Sequence, residues 1–157
     1  MTDLLASDRL ARSVSRVTAT MLGLTFRAVV PETRVDLWRT AVLPIPGARP
    51  ITVALSSDRH GCAALTAAML GLDQDDLGLE MIDDFMRELV NMAAGQIKLE
   101  LCLNQSLGLP RVTDGDELFA SPDGWSHHVL DSDALELPVD LPHPPIHLVV
   151  SLLAGVV

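Results

Sequence analysis

Apolar positions recur every three or four residues in three stretches of the chain and every second residue in several shorter ones. From Ser7 onward, Leu10, Val14, Val17 and Met21 fall on one stripe of an amphipathic helix that closes near Gly23, with Ser7 as its N-cap and Asp8 in the first turn. Residues 34–43 alternate in part, through Val35, Leu37, Thr40 and Val42, and read as a strand. Pro44, Pro46, Gly47 and Pro50 make a rigid turn, and residues 51–55 return as the second arm of a hairpin. Asp58, behind Ser56 and Ser57, starts a second helix that runs through Ala63, Ala64, Ala67 and Met69 to a Gly71 C-cap.

Asp73, Asp75 and Asp76 form a solvated, acidic approach to the longest helical pattern, residues 79–105. Its core side carries Met81, Phe85, Leu89, Met92, Ile97 and Leu101, and Gly108 and Pro110 stop it. The period then shortens. Residues 112–118, 125–130, 135–139 and 146–153 are short strand candidates between Asp-Gly and Pro-rich turns. The order α-β-β-α-α-β-β-β-β predicts one α+β domain over residues 1–157, a mostly antiparallel sheet with three helices packed on it.

Composition narrows the functions this domain can have. Hydrophobic residues are 48% of the chain, and the mean hydropathy is +0.32. The apolar residues nevertheless come in short runs, none near the ~20 in succession that a membrane span needs. The surplus belongs in the core and at a subunit interface. A net charge of −10, from 21 acidic and 11 basic residues, excludes a counterion-displacing groove for nucleic acid. With no Tyr and few other aromatics, stacking platforms for bases are scarce as well. The first residues lack a basic stretch followed by an apolar one, so the expected location is the cytoplasm, with no membrane partner.

Several residues with chemical potential have simpler accounts. Cys62 and Cys102 sit in apolar segments and read as small buried residues. His127 and His128 are neighbours on a strand and must point to opposite faces, while His143 and His147 straddle two prolines. Neither pair makes a zinc site, which needs three or four converging ligands. Residues 56–60 contain the letters of a hydrolase triad, but triad members meet in space rather than in sequence, and helix capping explains them better. Trp38 and Trp125 read as core or interface residues.

The candidate chemistry lies on the long helix. Glu88 and Asn91, three residues apart, share a face one turn above the other. Asp84 and Gly95 extend that face by one turn at each end, opposite the side carrying Phe85, Leu89 and Met92. A glycine there costs up to ~1 kcal/mol relative to alanine, and a mid-helix Asn competes for backbone hydrogen bonds. Gly95 would let another backbone approach closely. From spacing alone, an acidic solvated face with an indifferent Asn and a tolerated Gly is the simpler account.

The surrounding residues change that balance. Glu88-Leu-Val-Asn91-Met-Ala-Ala-Gly95-Gln-Ile-Lys98, followed by Pro110-Arg-Val-Thr-Asp-Gly115, resembles the CheC/CheX/FliY family of chemotaxis phosphatases, with its E-x-x-N helix, N-M-x-A-G continuation and P-x-V-x-x-G strand start. Upstream, Ile51-Thr-Val-Ala-Leu-Ser-Ser and Ala67-Ala-Met-Leu-Gly71 resemble the strand and helix that precede the motif. The first helix holds neither Glu nor Asn, so only one E-x-x-N copy is present, as in the single-site CheX branch whose members form homodimers. The proline-rich turn at 44–50 departs from the glycine-rich turn expected of the family.

The resemblance implies a phosphatase acting on the aspartyl phosphate of a CheY-like response regulator. Asn91 would orient the attacking water, and Glu88 would dock against the regulator's active-site lysine. Asp84 and Gly95 would contact the partner. The Mg²⁺ would sit on the regulator, with no cofactor or metal bound by this chain. The alternatives are a non-catalytic module that binds or sequesters a receiver domain, and a dimeric structural protein that binds none.

Overall fold

The turn between Ile45 and Ile51 closes a hairpin whose two arms are interior strands of the sheet. In a computed structural model that describes residues 5–30, 36–115, 124–133 and 145–156, β2 (Arg39–Ile45) pairs antiparallel with β3 (Ile51–Ser57). The register sets Ala41 against Leu55, Leu43 against Val53 and Ile45 against Ile51. Around it lie β1 (Phe26–Ala28), β4 (Arg111–Asp114), β5 (Trp125–Ser132) and β6 (His147–Ala154). The six strands run in the order β1-β5-β6-β3-β2-β4, and every neighbouring pair is antiparallel.

Three helices complete the fold: α1 (Ser7–Leu22), α2 (Arg59–Leu70) and α3 (Leu79–Glu100). Alternation sends Ala41, Leu43, Ile45, Val53, Leu55, Leu130, Leu148, Val150 and Leu152 to one face of the sheet. There they share a single core with Leu10, Val14 and Val17 of α1, Leu65 of α2 and Phe85, Met86, Leu89 and Ile97 of α3. The opposite face holds a smaller cluster of Val42, Ala54 and Trp125, with Leu153 packed on it. Trp38 is partly buried against the main core and stacks under the Arg59 guanidinium, 5.2 Å from its ring centroid. This is the expected α+β arrangement, an antiparallel sheet with three helices packed on it.

Local chemistry accounts for the helix ends, and it corrects several expectations. Gly23 and Gly71 close α1 and α2 in the left-handed region, at φ 68 and 66. Asp58 caps α2, its carboxylate accepting from the Gly61 N–H at 2.7 Å, so capping is indeed the role of that segment. Ser7 is not an N-cap: Ala6 holds that position, and the Ser7 hydroxyl lies 2.6 Å from His128 Nδ1. The long helix stops at Glu100, short of 105. Cys102 turns left-handed at φ 54 and the Leu103 N–H bonds back to the Lys98 carbonyl, which seats Leu103 in the core. Burying that leucine offsets the roughly 1–2 kcal/mol that a non-glycine residue costs in this conformation. Cys102 is consequently exposed and only Cys62 is buried; both are free thiols.

The strand boundaries shift as well. The strand expected over 34–43 begins at Arg39, residues 31–35 lying outside the described part, and β1 was not foreseen. The strand expected over 112–118 is β4, whose last expected residues, 116–118, are outside the described part, as is the whole candidate at 135–139.

Candidate functional site

Helix α3 spans 22 residues because its apolar period holds over six turns. Ile82, Phe85, Met86, Leu89, Val90, Ala93, Ala94 and Ile97 are buried on its inner side. Met81 is not among them: at 43% exposure it belongs to the outer face, a correction to the expected core side. Met92 and Leu101 are partly buried against the core. The inner stripe is thus centred on Leu89, Ala93 and Ile97, which leaves Asp84, Glu88, Asn91 and Gly95 in a row on the outside.

The helix is held down by an ion pair network that sequence reasoning missed. Arg39 of β2 grips Asp83 with two bonds, Nε to Oδ1 at 2.9 Å and Nη2 to Oδ2 at 2.7 Å, and reaches Asp114 of β4 at 2.9 Å. The Arg39 and Asp83 side chains are only 15% and 14% exposed. The hydrogen-bonded Asp83 carboxylate, aided by the charge of Asp114, raises the Arg39 pKa above its ordinary value against the effect of burial. Neighbours in sequence, Asp83 and Asp84 therefore do different work: one fastens the helix to the sheet and the other faces solvent. At the far end of α3, Arg9 of α1 bonds Glu100 at 2.7 and 2.9 Å and lowers its carboxyl pKa.

Asp84, Glu88, Asn91 and Gly95 lie along one outward side of α3. Glu88 is exposed and Asn91 partly buried, and among the described residues neither side chain makes a hydrogen bond or ion pair. Asp84 is exposed and accepts a bond from Arg87, one turn further along. Gly95 has a helical backbone, and a Cβ added there would meet nothing within 4 Å. Nothing inside the protein requires a glycine at this position. The face therefore presents one carboxylate and one carboxamide, both unpartnered, on a helix whose other side is fastened by core packing. The helix backbone places both groups, and neither has an internal bond to break before it meets a partner.

Other titratable groups lie elsewhere. Burial pushes the Cys62 thiol up to about 12, and it donates weakly to the Ser57 carbonyl, so it is an inert core residue. His127 points to the sheet face away from the helices, beside Ser151, while His128 points inward, between Ser7 and Ser126. Burial, assisted by the neighbouring His128, lowers the His127 pKa. Among the described residues no three His, Cys, Asp or Glu side chains are grouped so as to hold a metal ion, and no helix is long and apolar enough to cross a membrane.

Comparison with known proteins places this geometry in a family. A search of curated proteins finds no match. Among solved structures, the chemotaxis protein CheX from Vibrio vulnificus superposes with TM-score 0.66 at 17% identity, covering 98% of this chain and 99% of that one. CheX in the CheX-CheY-BeF3-Mg complex from Borrelia burgdorferi gives TM-score 0.66 at 14% identity, over 98% and 99%. FliM in the FliM-SpeE complex from H. pylori gives 0.63 at 9% identity, over 94% and 83%. At these identities the likeness is one of fold. The family model described as "Chemotaxis phosphatase CheX" matches residues 39–131, more than half of the chain, from the arginine that fastens α3 through the whole of the Glu88–Asn91 face. This chain belongs to the chemotaxis phosphatase CheX family.

Proposed function

We propose that this chain accelerates hydrolysis of the aspartyl phosphate on a CheY-like receiver domain, with Asn91 and Glu88 as the working pair. The observation that carries the reading is the pair itself. An exposed carboxylate and a partly buried carboxamide stand one turn apart, both unpartnered among the described residues, on the fastened helix of a chain in this family.

An acyl phosphate hydrolyses when a water attacks phosphorus in line with the aspartyl oxygen. The P–O bond to the carboxyl breaks, and inorganic phosphate and a free aspartate are left. The assisting protein has little covalent chemistry to do, and its contribution is positioning. A carboxamide suits this role because it donates and accepts at once and does not titrate, so it can hold a water in one orientation across the physiological range. Asn91 takes that part. Glu88 would repel a phosphoryl group at close range, so its partner is a cation on the receiver, its active-site lysine, and the pair sets how deeply Asn91 enters. Mg²⁺ is expected on the receiver, and this chain contributes no metal ligand. Asp84 and Gly95 lie along the contact, the glycine admitting a close backbone. We further propose that the protein works in the cytoplasm and as a homodimer, which would cover exposed apolar residues such as Leu109, 86% exposed.

The test is phosphate release from a receiver domain charged with acetyl phosphate, with and without this chain. Asn91→Ala should abolish the acceleration and largely spare binding, whereas Glu88→Ala should weaken both. Equal loss of binding in the two variants would contradict the division of roles. No acceleration with any receiver of the same genome would sink the enzymatic reading. The second reading is a non-catalytic module that binds a receiver through the same face, which the unpartnered Glu88 and Asn91 side chains serve equally well. It predicts binding without faster loss of phosphate.

A further inference from the structure

We infer that Lys98 is a second docking point for the receiver domain, fixing its orientation by pairing with an acidic group on the partner; this rests on the reading of the Glu88–Asn91 face given above. Lys98 is the only lysine in the chain. It lies on α3 one turn beyond Gly95 and two turns, ~10 Å along the axis, beyond Asn91. Among the described residues it has no ion pair or side-chain hydrogen bond, and it is partly exposed.

Its neighbours explain why it is available. The other cation on the helix, Arg87, is bonded to Asp84, and the acid nearest to Lys98 in sequence, Glu100, is bonded to Arg9. Long side chains on a helix lean toward its N-terminus and lie over the preceding turn. For Lys98 that turn is Gly95, where no side chain stands and the space above the backbone is open. The four-carbon stem can therefore carry the ammonium back over Gly95 toward Asn91.

The face is consequently polarised along its length. Glu80, Asp84 and Glu88 make the first half acidic, with Arg87 neutralising part of it, and Lys98 makes the second half basic. A receiver that carries an aspartyl phosphate must also carry carboxylates to hold Mg²⁺, and its pocket is acidic around one catalytic lysine. A chain of net charge −10 approaching such a pocket is repelled unless a local cation meets it. With Glu88 on the partner's lysine and Lys98 on its acidic rim, only one orientation satisfies both. A half-turn rotation would set like charges against each other. Lys98 is thus a positioning residue, acting on how readily the productive pose forms and not on the chemistry within it.

The experiment measures steady-state dephosphorylation at several receiver concentrations for the wild type, Lys98→Gln and Lys98→Arg, between about 0.05 and 0.5 M salt. Binding to a beryllofluoride-charged receiver and thermal unfolding are measured alongside. Lys98→Gln should raise KM and Kd about threefold, the worth of one exposed pair, with kcat unchanged. Lys98→Arg should restore both, and added salt should bring the wild type to the Lys98→Gln values. Unchanged KM and Kd in Lys98→Gln would overturn the inference. So would a fall in kcat accompanied by a lower Tm, since that would reduce the residue to its part in the helix C-terminal dipole. If the wild type binds the charged receiver but does not speed its hydrolysis, the enzymatic reading fails while the Kd comparison still decides the role of Lys98. A wild type that binds no receiver overturns both.

Discussion

Replacing Gly95 with alanine separates what the fold needs from what the partner needs. Glycine in a helix interior is about 0.8–1 kcal/mol less favourable than alanine, because it gives up more backbone freedom and shields the helix less. That penalty is ordinarily tolerated where a Cβ would collide with a neighbour. At Gly95 the added Cβ meets nothing within 4 Å, and the backbone is helical rather than left-handed. The free protein should therefore gain close to the full ~1 kcal/mol. For a chain of 157 residues that raises Tm by roughly 2–4 °C. Docking should respond in the opposite sense. If a receiver backbone packs on Gly95, an inserted methyl group forces it away at a cost of about 1–3 kcal/mol, a roughly 5- to 150-fold loss of affinity. Differential scanning calorimetry gives the first quantity, and titration with a beryllofluoride-charged receiver gives the second. Loss of stability in Gly95→Ala would refute the claim that the site is open. A gain in stability with unchanged affinity would show that the partner does not come close there.

Other substitutions probe the fastening of α3 and the thiols. Arg39→Leu leaves the Asp83 carboxylate largely buried without its partner, and should cost about 2 kcal/mol by urea unfolding. Asp83→Leu added to it should recover part of that loss, because the pair rather than either residue is the stabilising unit. Iodoacetamide should modify Cys102 in the native protein, and Cys62 only after unfolding. The Cys62 thiol titrates near 8.5 when unfolded but about 12 when folded, so its contribution is complete below pH ~8.5 and is lost as pH rises toward 12. Stability that did not fall over that window would show that Cys62 is less enclosed than its burial indicates.

What was legible in the sequence was mostly local. The hairpin follows from prolines between two apolar runs, and α2 from an Asp cap and a Gly stop only a few turns apart. Periodicity also gave the outward row of α3, since Asp84, Glu88, Asn91 and Gly95 share an azimuth whatever packs behind them. Where it failed, the missing information was non-local. Met81 lies at the margin of the apolar stripe, and at 43% exposure it is left largely uncovered. The three residues of β1 are too few to show alternation, and their strand partner lies more than a hundred residues away. The Arg39–Asp83 pair joins residues 44 positions apart, and no spacing rule links them. Cys102 entered the left-handed region because Leu103 is buried, a tertiary cause that no C-cap rule contains. The signal nearest to hand and not read was Asp84-x-x-Arg87, an i,i+3 pair on the very face in question.

The arrangement of α3 bears on how far such a face can vary without loss of fold. The residues that fix the helix point inward or sideways: Leu89, Ala93 and Ile97 into the core and Asp83 onto Arg39. The residues proposed to work, Glu88, Asn91 and Lys98, have no internal partners among the described residues. The two sets point to different sides of one helix, and among the described residues no side-chain hydrogen bond or ion pair joins them, so stability should follow mainly the first set and partner recognition the second. This gives a physical reason why the fold persists in neighbours only 9–17% identical to this chain. It also means that the fold cannot by itself identify the activity, because the outward face is free to change at almost no cost in stability. Asn91→Ala should therefore leave the unfolding free energy in place, or raise it by a few tenths of a kcal/mol through the better helix propensity of alanine, while removing the water-orienting amide. A large loss of stability in that variant would mean that Asn91 is a structural residue, and the case for its catalytic part would go with it.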